Sequence, residues 1–186
     1  MPPTAETVLD RLSNARIPTV AVGKIDDLFA GRGIMRPLHI RSDDEGMDAV
    51  ASELASTRSG LIFANLVDFD TLYGHRNDVA GYAANLERFD GRLRDLLPRL
   101  HIDDLLIVTA DHGNDPTTPS TDHSREYVPL LATGPRVEGG VELGTRRTFA
   151  DLGQTIAENF GVGAMAHGTS FLGDLHLDKG INGEYS

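Results

Sequence analysis

Apolar residues recur along the chain with two spacings, one typical of helices and the other typical of buried strands. Segments with apolar residues three and four positions apart predict helices. Short, nearly continuous apolar runs that end at turn residues predict strands of a parallel sheet. The predicted helices cover residues 4–15, a segment after Ser42, residues 78–97 and residues 149–160. The predicted strands cover residues 19–23, 60–67, 105–109 and 128–134.

Helices and strands therefore alternate, and this order is typical of an α/β protein with a mostly parallel sheet flanked by helices. Ser42 and Glu45 have the spacing of a capping box, which predicts where the second helix begins. Pro129 indicates an edge strand or a strand start. The chain shows no internal repeat or linker, so we expect a single domain over residues 1–186. We expect the tail after Leu172 to fray, as chain ends often do.

The composition excludes several classes of partner and site. The chain has 28 acidic and 17 basic residues, and its formal net charge of -11 repels nucleic acid. No apolar run approaches the roughly 18 residues of a membrane span, and the amino terminus has no signal-peptide pattern. We therefore expect a cytoplasmic protein without a nucleic-acid or membrane partner. Because cysteine is absent, any metal ligands must be histidines and carboxylates.

Three polar clusters follow predicted strands or lie in the loops beside them: residues 68–75, 111–115 and 120–125. In open α/β sheets the ligand binds beyond the carboxyl ends of the strands, where such loops converge. The clusters combine carboxylates with histidines. These ligands suit Mn²⁺, Zn²⁺ or iron better than Ca²⁺, and a set of this size suits two ions. The sequence therefore predicts a metal site at this edge of the sheet.

Several polar residues in or near these clusters have a simpler interpretation. An aspartate after a strand is commonly a helix cap or a turn former, and we assign that role to Asp68, Asp115 and Asp122. His39 and His101 lie near element boundaries without neighbouring carboxylates, so we interpret them as surface or packing residues.

Four other residues keep a functional interpretation. Asp111 and His112 directly follow an apolar strand, where a carboxylate beside an imidazole costs desolvation energy unless a ligand binds, so we interpret both as metal ligands. Lys24 follows the first predicted strand and is either a phosphate anchor or a solvated surface lysine. His167 lies in a polar turn, and whether it faces the same crevice stays open.

Three stretches of the sequence carry distinctive motifs: NLVDFDTLYGHRNDVAGYA (65–83), TADHGNDPTTPSTDHSREYVPLL (109–131) and AHGTSFL (166–172). These stretches closely resemble the phosphopentomutase family of the alkaline-phosphatase superfamily. The string TADHGN is also similar to one in cofactor-independent phosphoglycerate mutases. The pattern DFDxxYGH and the segment TDHSREYVPLL favour the pentomutases. The resemblance extends over about residues 7–172 and implies an alkaline-phosphatase-like core.

The resemblance implies an isomerase that moves a phosphoryl group between the 1- and 5-positions of ribose or deoxyribose. In that family the transfer passes through a bisphosphate intermediate and a phosphorylated threonine, and two Mn²⁺ ions assist. Matched residue by residue, Asp70, His75 and His123 correspond to the ligands of one ion. Asp111 and His112 correspond to ligands of the other ion. The implied substrate is a pentose phosphate, which Lys24 would help to bind.

The sequence also departs from the family pattern. Relatives carry an earlier core strand with a further metal-binding aspartate, a nucleophilic threonine and an inserted cap domain, and we find no counterpart of these here. We therefore expect an incomplete core, the carboxyl-terminal part of the metalloenzyme, that contains no catalytic nucleophile and needs an amino-terminal half as its partner. Proximity alone supports the threonines near the clusters as substitutes: Thr109, Thr117, Thr118 and Thr121.

Two other functions stay open at this point. One is a metal-dependent phosphatase or phosphodiesterase that uses water as the nucleophile and needs no threonine. The other is a non-catalytic metal-binding remnant of an enzyme. The mutase hypothesis is preferred because the long matched segments are stronger evidence for this family than the missing parts are for a different function.

Overall fold

The strand predicted over residues 19–23 lies at the centre of a parallel sheet. In the computed structural model, which describes residues 2–177, β1 (Thr19–Val22) lies between β2 (Arg36–Leu38) and β3 (Leu61–Ala64). Both neighbours run parallel to β1, with Val20 opposite Arg36 on one side and Ile62 on the other. All four residues of β1 are buried. This explains why the strand reads as a continuous apolar run rather than an alternating one.

Five α-helices accompany the strands within residues 2–177, so the predicted α/β fold is confirmed. They are α1 (Val8–Asn14), α2 (Ile25–Phe29), α3 (Asp43–Ser56), α4 (Val79–Leu96) and α5 (Ala150–Asn159). A π-helical turn forms at Phe69–Tyr73, and 3₁₀ turns form at Gly74–Arg76, Leu97–Arg99 and Gly173–Leu175. Phe69 packs edge-on against Tyr82 and Phe89 of α4, at centroid distances of 5.5 and 6.1 Å. This contact joins the loop after β3 to the longest helix.

The chain divides into two compact units. The first contains the residues up to Arg99 together with His112–Tyr127, and the second contains Leu100–Asp111 together with the residues from Val128 onward. In the second unit β4 (Leu106–Thr109) pairs with β5 (Leu130–Thr133). This pair is antiparallel and departs from the mostly parallel arrangement expected. The segment between the two strands contains no α-helix, the usual crossover that returns a chain to a parallel strand.

Two helix starts show how local hydrogen bonds set the element boundaries. Thr7 caps α1 through a reciprocal capping box with Asp10, so the helix begins later than the apolar spacing predicts. At α3 the predicted box forms only in part. The Ser42 hydroxyl accepts the Glu45 amide at 3.2 Å, but the Glu45 carboxylate binds the backbone amide of Arg41 at 2.9 Å. Cap geometry therefore decides boundaries that periodicity leaves open.

The end of the described chain corrects part of the expectation for the tail. Fraying does not begin directly after Leu172, because Gly173–Leu175 form a turn in which Leu175 is 2% exposed. The rest of that prediction falls on residues 178–186, which lie outside the described part of the chain. Within residues 2–177, no helix has both the length and the apolar character that crossing a membrane requires.

Two neighbouring glycines give a matched test of how closely α1 approaches the loop before β2. Gly31 and Gly33 both have positive φ, +73° and +71°, so alanine strains the backbone at either position. A Cβ at Gly33 would lie 2.3 Å from the carbonyl carbon of Leu9, whereas a Cβ at Gly31 has 3.6 Å to its nearest neighbour. We expect Gly33→Ala to lower the free energy of unfolding by about 1–3 kcal/mol more than Gly31→Ala. Urea denaturation measures both, and equal losses would contradict the close packing of Gly33 on α1.

Candidate metal centre

The loop after β3 is shaped by two consecutive tight turns. The π-helical turn Phe69–Tyr73 continues directly into the 3₁₀ turn Gly74–Arg76, and Asn77 ends it with a left-handed φ of +52°. The Asn77 side-chain amide donates to the carbonyl of Thr118 at 2.9 Å, which attaches the loop to the segment His112–Tyr127. Single π-helical turns are rare and are frequent at functional sites. The two turns and this hydrogen bond therefore fix the conformation of the loop.

The structure brings Asp70, His75 and His123 together. One carboxylate oxygen of Asp70 lies 3.3 Å from Nε2 of His75, and the other lies 3.2 Å from Nε2 of His123. One possible ligand atom from each of the three residues lies within 4.8 Å of the other two. The side chain of Asp70 is 28% exposed and that of His123 is 47% exposed, so the cluster is open to solutes. Its chemistry is that of a mixed carboxylate and imidazole cation site.

Hydrogen bonds and ring stacking orient the imidazoles, and Nε2 of both His75 and His123 faces Asp70. Nδ1 of His75 lies 2.5 Å from the carbonyl oxygen of Thr121. Because a carbonyl can only accept, Nδ1 of His75 donates this bond, and in the neutral tautomer that carries this proton Nε2 is the atom able to bind a metal. The ring of His112 stacks on that of His123 with centroids 3.7 Å apart, and His112 Nδ1 lies 3.2 Å from the carbonyl of Gly113.

The residue that the sequence interpretation missed is Asn114. Its side-chain amide donates to Oδ1 of Asp70 at 2.6 Å, the same oxygen that approaches His123. Asn114 lies only two positions after His112, in a cluster already recognised as polar. Its position in this polar cluster is a signal that the sequence carries, although an amide donor does not bind a cation in the way that a carboxylate or an imidazole does.

A buried carboxylate pair fixes the base of the loop. The backbone amide of Asp43 donates to Oδ2 of Asp68 at 2.8 Å, and the amide of Asp68 donates to Oδ1 of Asp43 at 2.9 Å. Asn85 of α4 donates to the remaining oxygen of Asp43 at 2.8 Å. Both aspartates are 8% exposed. Burial, together with the charge of Asp68, raises the pKa of Asp43 against the opposing effect of these hydrogen bonds.

The other predicted ligands and the substrate anchor are placed as follows. His112 lies beside His123 in the first unit, whereas Asp111 follows β4 in the second unit and is exposed. Asp111 is therefore not among the three residues that gather. Lys24 is exposed at the start of α2, directly after Gly23 at the end of β1. Because β1 and β3 are parallel, Lys24 and the loop after β3 follow the same edge of the sheet.

The contacts of Asp68 and Asp115 agree with their simpler interpretations as cap and turn residues. Asp68 caps α3 by accepting the amide of its first residue. The Asp115 carboxylate accepts the hydroxyl and the backbone amide of Thr117 at 2.7 and 2.8 Å, a local turn, and these bonds lower the pKa of Asp115. His101 is exposed, but the expectation that it has no carboxylate neighbour is wrong, because its Nδ1 lies 3.3 Å from Asp104.

The turn that contains His167 is held to α5 within the second unit. The backbone amide of Thr169 donates to the Asp151 carboxylate at 2.8 Å, and the amide of Phe171 donates to the Thr155 hydroxyl at 3.0 Å. A Cβ at Gly168 would lie 2.3 Å from the carbonyl oxygen of Ala150. These contacts give the segment a packing role. Whether His167 faces the crevice of the predicted metal site stays a prediction.

Comparison with known proteins decides the family. The profile of the Metalloenzyme superfamily matches residues 7–164, which is most of the chain. The chain belongs to this superfamily. The match includes both turns of the loop after β3 and the whole segment His112–Tyr127, so every residue of the gathered cluster falls inside it.

Several curated relatives described as phosphopentomutases confirm the resemblance. The chain is 54% identical to one from Caldanaerobacter subterraneus subsp. tengcongensis over 179 residues, 96% of this chain and 46% of the relative. It is 57% identical to one from Anaeromyxobacter sp. over 94% of this chain and 45% of the relative. It is 54% identical to one from Thermotoga maritima over 91% and 44%. The chain thus spans under half the length of these relatives.

A solved structure of a Pyrococcus horikoshii protein supports the fold alone. It aligns with a TM-score of 0.52 at 18% identity, over 66% of this chain and 34% of that one. The two chains share a fold over the aligned part.

The buried carboxylate pair makes stability depend on pH in a way that Asp43→Asn should remove. Because the pKa of Asp43 is raised on folding, the folded state keeps a proton that the unfolded state has lost. The parent should therefore lose stability as the pH rises from the ordinary aspartate pKa of about 3.9 through the raised value. Asn85 and Asp68 face this group, and Asn85 also binds Arg88 at 2.7 Å.

At low pH we expect Asp43→Asn to be less stable than the parent by about 1 kcal/mol, because one hydrogen bond is lost. Asparagine cannot ionise, so the variant does not share the parent's loss of stability as the pH rises. The stability of the variant relative to the parent should therefore increase over that pH range. Urea denaturation at a series of pH values measures this difference. Glu87→Gln on the exposed face of α4 controls for the loss of one negative charge. A difference between Asp43→Asn and the parent that does not change with pH would contradict the burial argument.

Proposed function

We propose that this chain is part of a phosphopentomutase-type isomerase that interconverts (deoxy)ribose 1-phosphate and (deoxy)ribose 5-phosphate by phosphoryl transfer. The observation that carries the proposal is the gathering of Asp70, His75 and His123 at the end of a parallel strand. Relatives described as phosphopentomutases, 50–57% identical to this chain, support the choice of reaction. The substrate class is accordingly a pentose phosphate.

The residues present suit divalent cations, and we propose two Mn²⁺ ions as the cofactors. Asp70, His75 and His123 would hold one ion, and Asp111 and His112 would contribute to the other. The fit is supported by the carbonyl of Thr121, which sets the tautomer of His75 that a cation requires. Cations held there supply positive charge that offsets the charge of the transferring phosphoryl group.

The chain's own residues would bind and orient the substrate. Lys24 lies at the same edge of the parallel sheet as the loop of Asp70, and its flexible ammonium suits a sugar phosphate as a point charge. We assign it the role of substrate anchor. The described side-chain contacts include no ion pair of Lys24, so binding a phosphate there breaks no existing pair of residues 2–177.

We further propose that the 186 residues by themselves give little or no turnover. They span under half the length of the phosphopentomutase relatives, and transfer depends on positioning by the complete site. The nucleophilic threonine and one further metal-binding aspartate would come from an amino-terminal half. In this proposal the chain is the carboxyl-terminal part of a single metalloenzyme core that works in the cytoplasm.

Metal binding tests the first part of the proposal. We expect the chain to bind Mn²⁺, and Asp70→Ala and His123→Ala each to weaken binding by at least about 10-fold to 100-fold. Titration followed by the electron paramagnetic resonance of free Mn²⁺ measures the affinity. His101→Ala is the matched control, because His101 also lies beside an aspartate and is exposed. Equal affinities in all four proteins would remove the metal centre.

Reconstitution tests the reaction. The portion of the Caldanaerobacter relative that this chain does not cover should, when co-expressed and associated with it, restore interconversion of ribose 1-phosphate and ribose 5-phosphate. The activity should disappear with Asp70→Ala. Association without interconversion would count against the isomerase. Aryl phosphate hydrolysis by the chain alone would then favour a metal-dependent phosphatase or phosphodiesterase, and Mn²⁺ affinity without any turnover would favour a non-catalytic remnant.

A further inference from the structure

Gly74 has no side chain for a reason that its backbone does not explain. Its φ and ψ are -59° and -60°, an ordinary right-handed helical conformation that any residue adopts. A Cβ at this position would lie 2.2 Å from Nδ2 and 2.5 Å from Cγ of Asn114. The glycine therefore provides space, and the group that fills this space is the side-chain amide of Asn114.

The amide that fills this space points at a proposed metal ligand. Asn114 donates to Oδ1 of Asp70 at 2.6 Å, and because a carboxylate only accepts, the atom that donates is the NH₂ nitrogen of Asn114. A carboxylate torsion is broad when nothing fixes it. The bond from Asn114 selects one orientation, in which Oδ1 faces His123 and Oδ2 faces His75.

The residues on both sides of Asn114 are hydrogen-bonded to Ser124, so the backbone that carries the Asn114 side-chain amide has a fixed position. Gly113 pairs with Ser124 as an antiparallel bridge on one side of Asn114. On the other side the amide of Asp115 donates to the Ser124 hydroxyl at 2.8 Å. A residue held by its neighbours can fix the orientation of a carboxylate on another segment.

We propose that Asn114 is a positioning residue for Asp70 and that Gly74, which has no side chain, leaves the space that the Asn114 amide occupies. We call this space the Gly74 seat. This inference rests on the proposed function of Asp70 as a metal ligand. Partners that orient a ligand contribute to metal affinity without touching the metal, because a ligand already fixed in place loses less freedom on binding. The role of Asn114 is thus separate from that of the ligands.

The seat is tested without metal by a double-mutant cycle in the full 186-residue chain. Gly74→Ala should lower the urea midpoint in the parent, because its Cβ collides with Asn114. In the Asn114→Ala background the same change should lose at least about half of its effect, because the colliding group is gone. Additive effects would overturn the seat. Asn114→Leu keeps a branched side chain of similar size, so the collision should persist there.

The positioning role is tested by Mn²⁺ affinity. Asn114→Ala and Asn114→Leu should both bind Mn²⁺ about 10-fold to 100-fold more weakly than the parent, because neither donates a hydrogen bond. Asn77→Ala is the structural control. It also removes an asparagine bond between the same two segments, but that bond does not reach Asp70. We expect Asn77→Ala to lower the urea midpoint and to leave the affinity within about twofold of the parent.

The outcomes separate the two proposals. Binding that is lost in Asp70→Ala but intact in both Asn114 variants overturns the positioning role and leaves the metal centre in place. Affinity that falls equally in Asn77→Ala and Asn114→Ala also overturns it, since general loosening then explains the loss. Binding that is the same in the parent and in Asp70→Ala overturns the metal centre itself, and the positioning role with it.

Discussion

The carboxylate of Asp70 is the interaction on which the site depends. Its two oxygens face two imidazoles, and Oδ1 accepts a hydrogen bond from the side-chain amide of Asn114, a residue 44 positions away in sequence. The loop after β3 supplies Asp70 and His75, and the segment His112–Tyr127 supplies the other two groups. The hydrogen bond from Asn114 to Asp70 connects these two segments, and the negative charge of Asp70 is what a divalent cation would bind.

The loop is buried at its base and open at its tip. Asp43 and Asp68 at the base are 8% exposed and exchange backbone hydrogen bonds, and the amino terminus of α3 offsets part of the charge of Asp68. Asp70, two residues further on, is more than a quarter exposed. Burying two like charges costs stability, as the raised pKa of Asp43 indicates. The loop therefore starts from a fixed point, while the Asp70 side chain stays accessible to solutes.

Apolar periodicity predicted the fold class and most elements, because β1, β3, α3 and α4 are formed by residues whose spacing alone gives them a buried side. It failed where the contacts are polar and distant. Asn85 contributes nothing to the apolar pattern of α4, yet it is 3% exposed and its side chain binds Asp43. The same limit hid Asn114 and the reason for Gly74, since a glycine with ordinary φ carries no local signal.

Similarity and geometry bear on different parts of the function. Identity of 54% over nearly the whole chain constrains the family, but the chain covers only 46% of that relative, so identity alone does not transfer a complete reaction. The geometry of the site concerns a much smaller set of residues. Asp70, His75, His123 and Asn114 all belong to the first unit, and their mutual contacts lie within it. The contacts of this cluster can therefore be tested in the chain by itself, whereas phosphoryl transfer depends on groups that a complete enzyme must position.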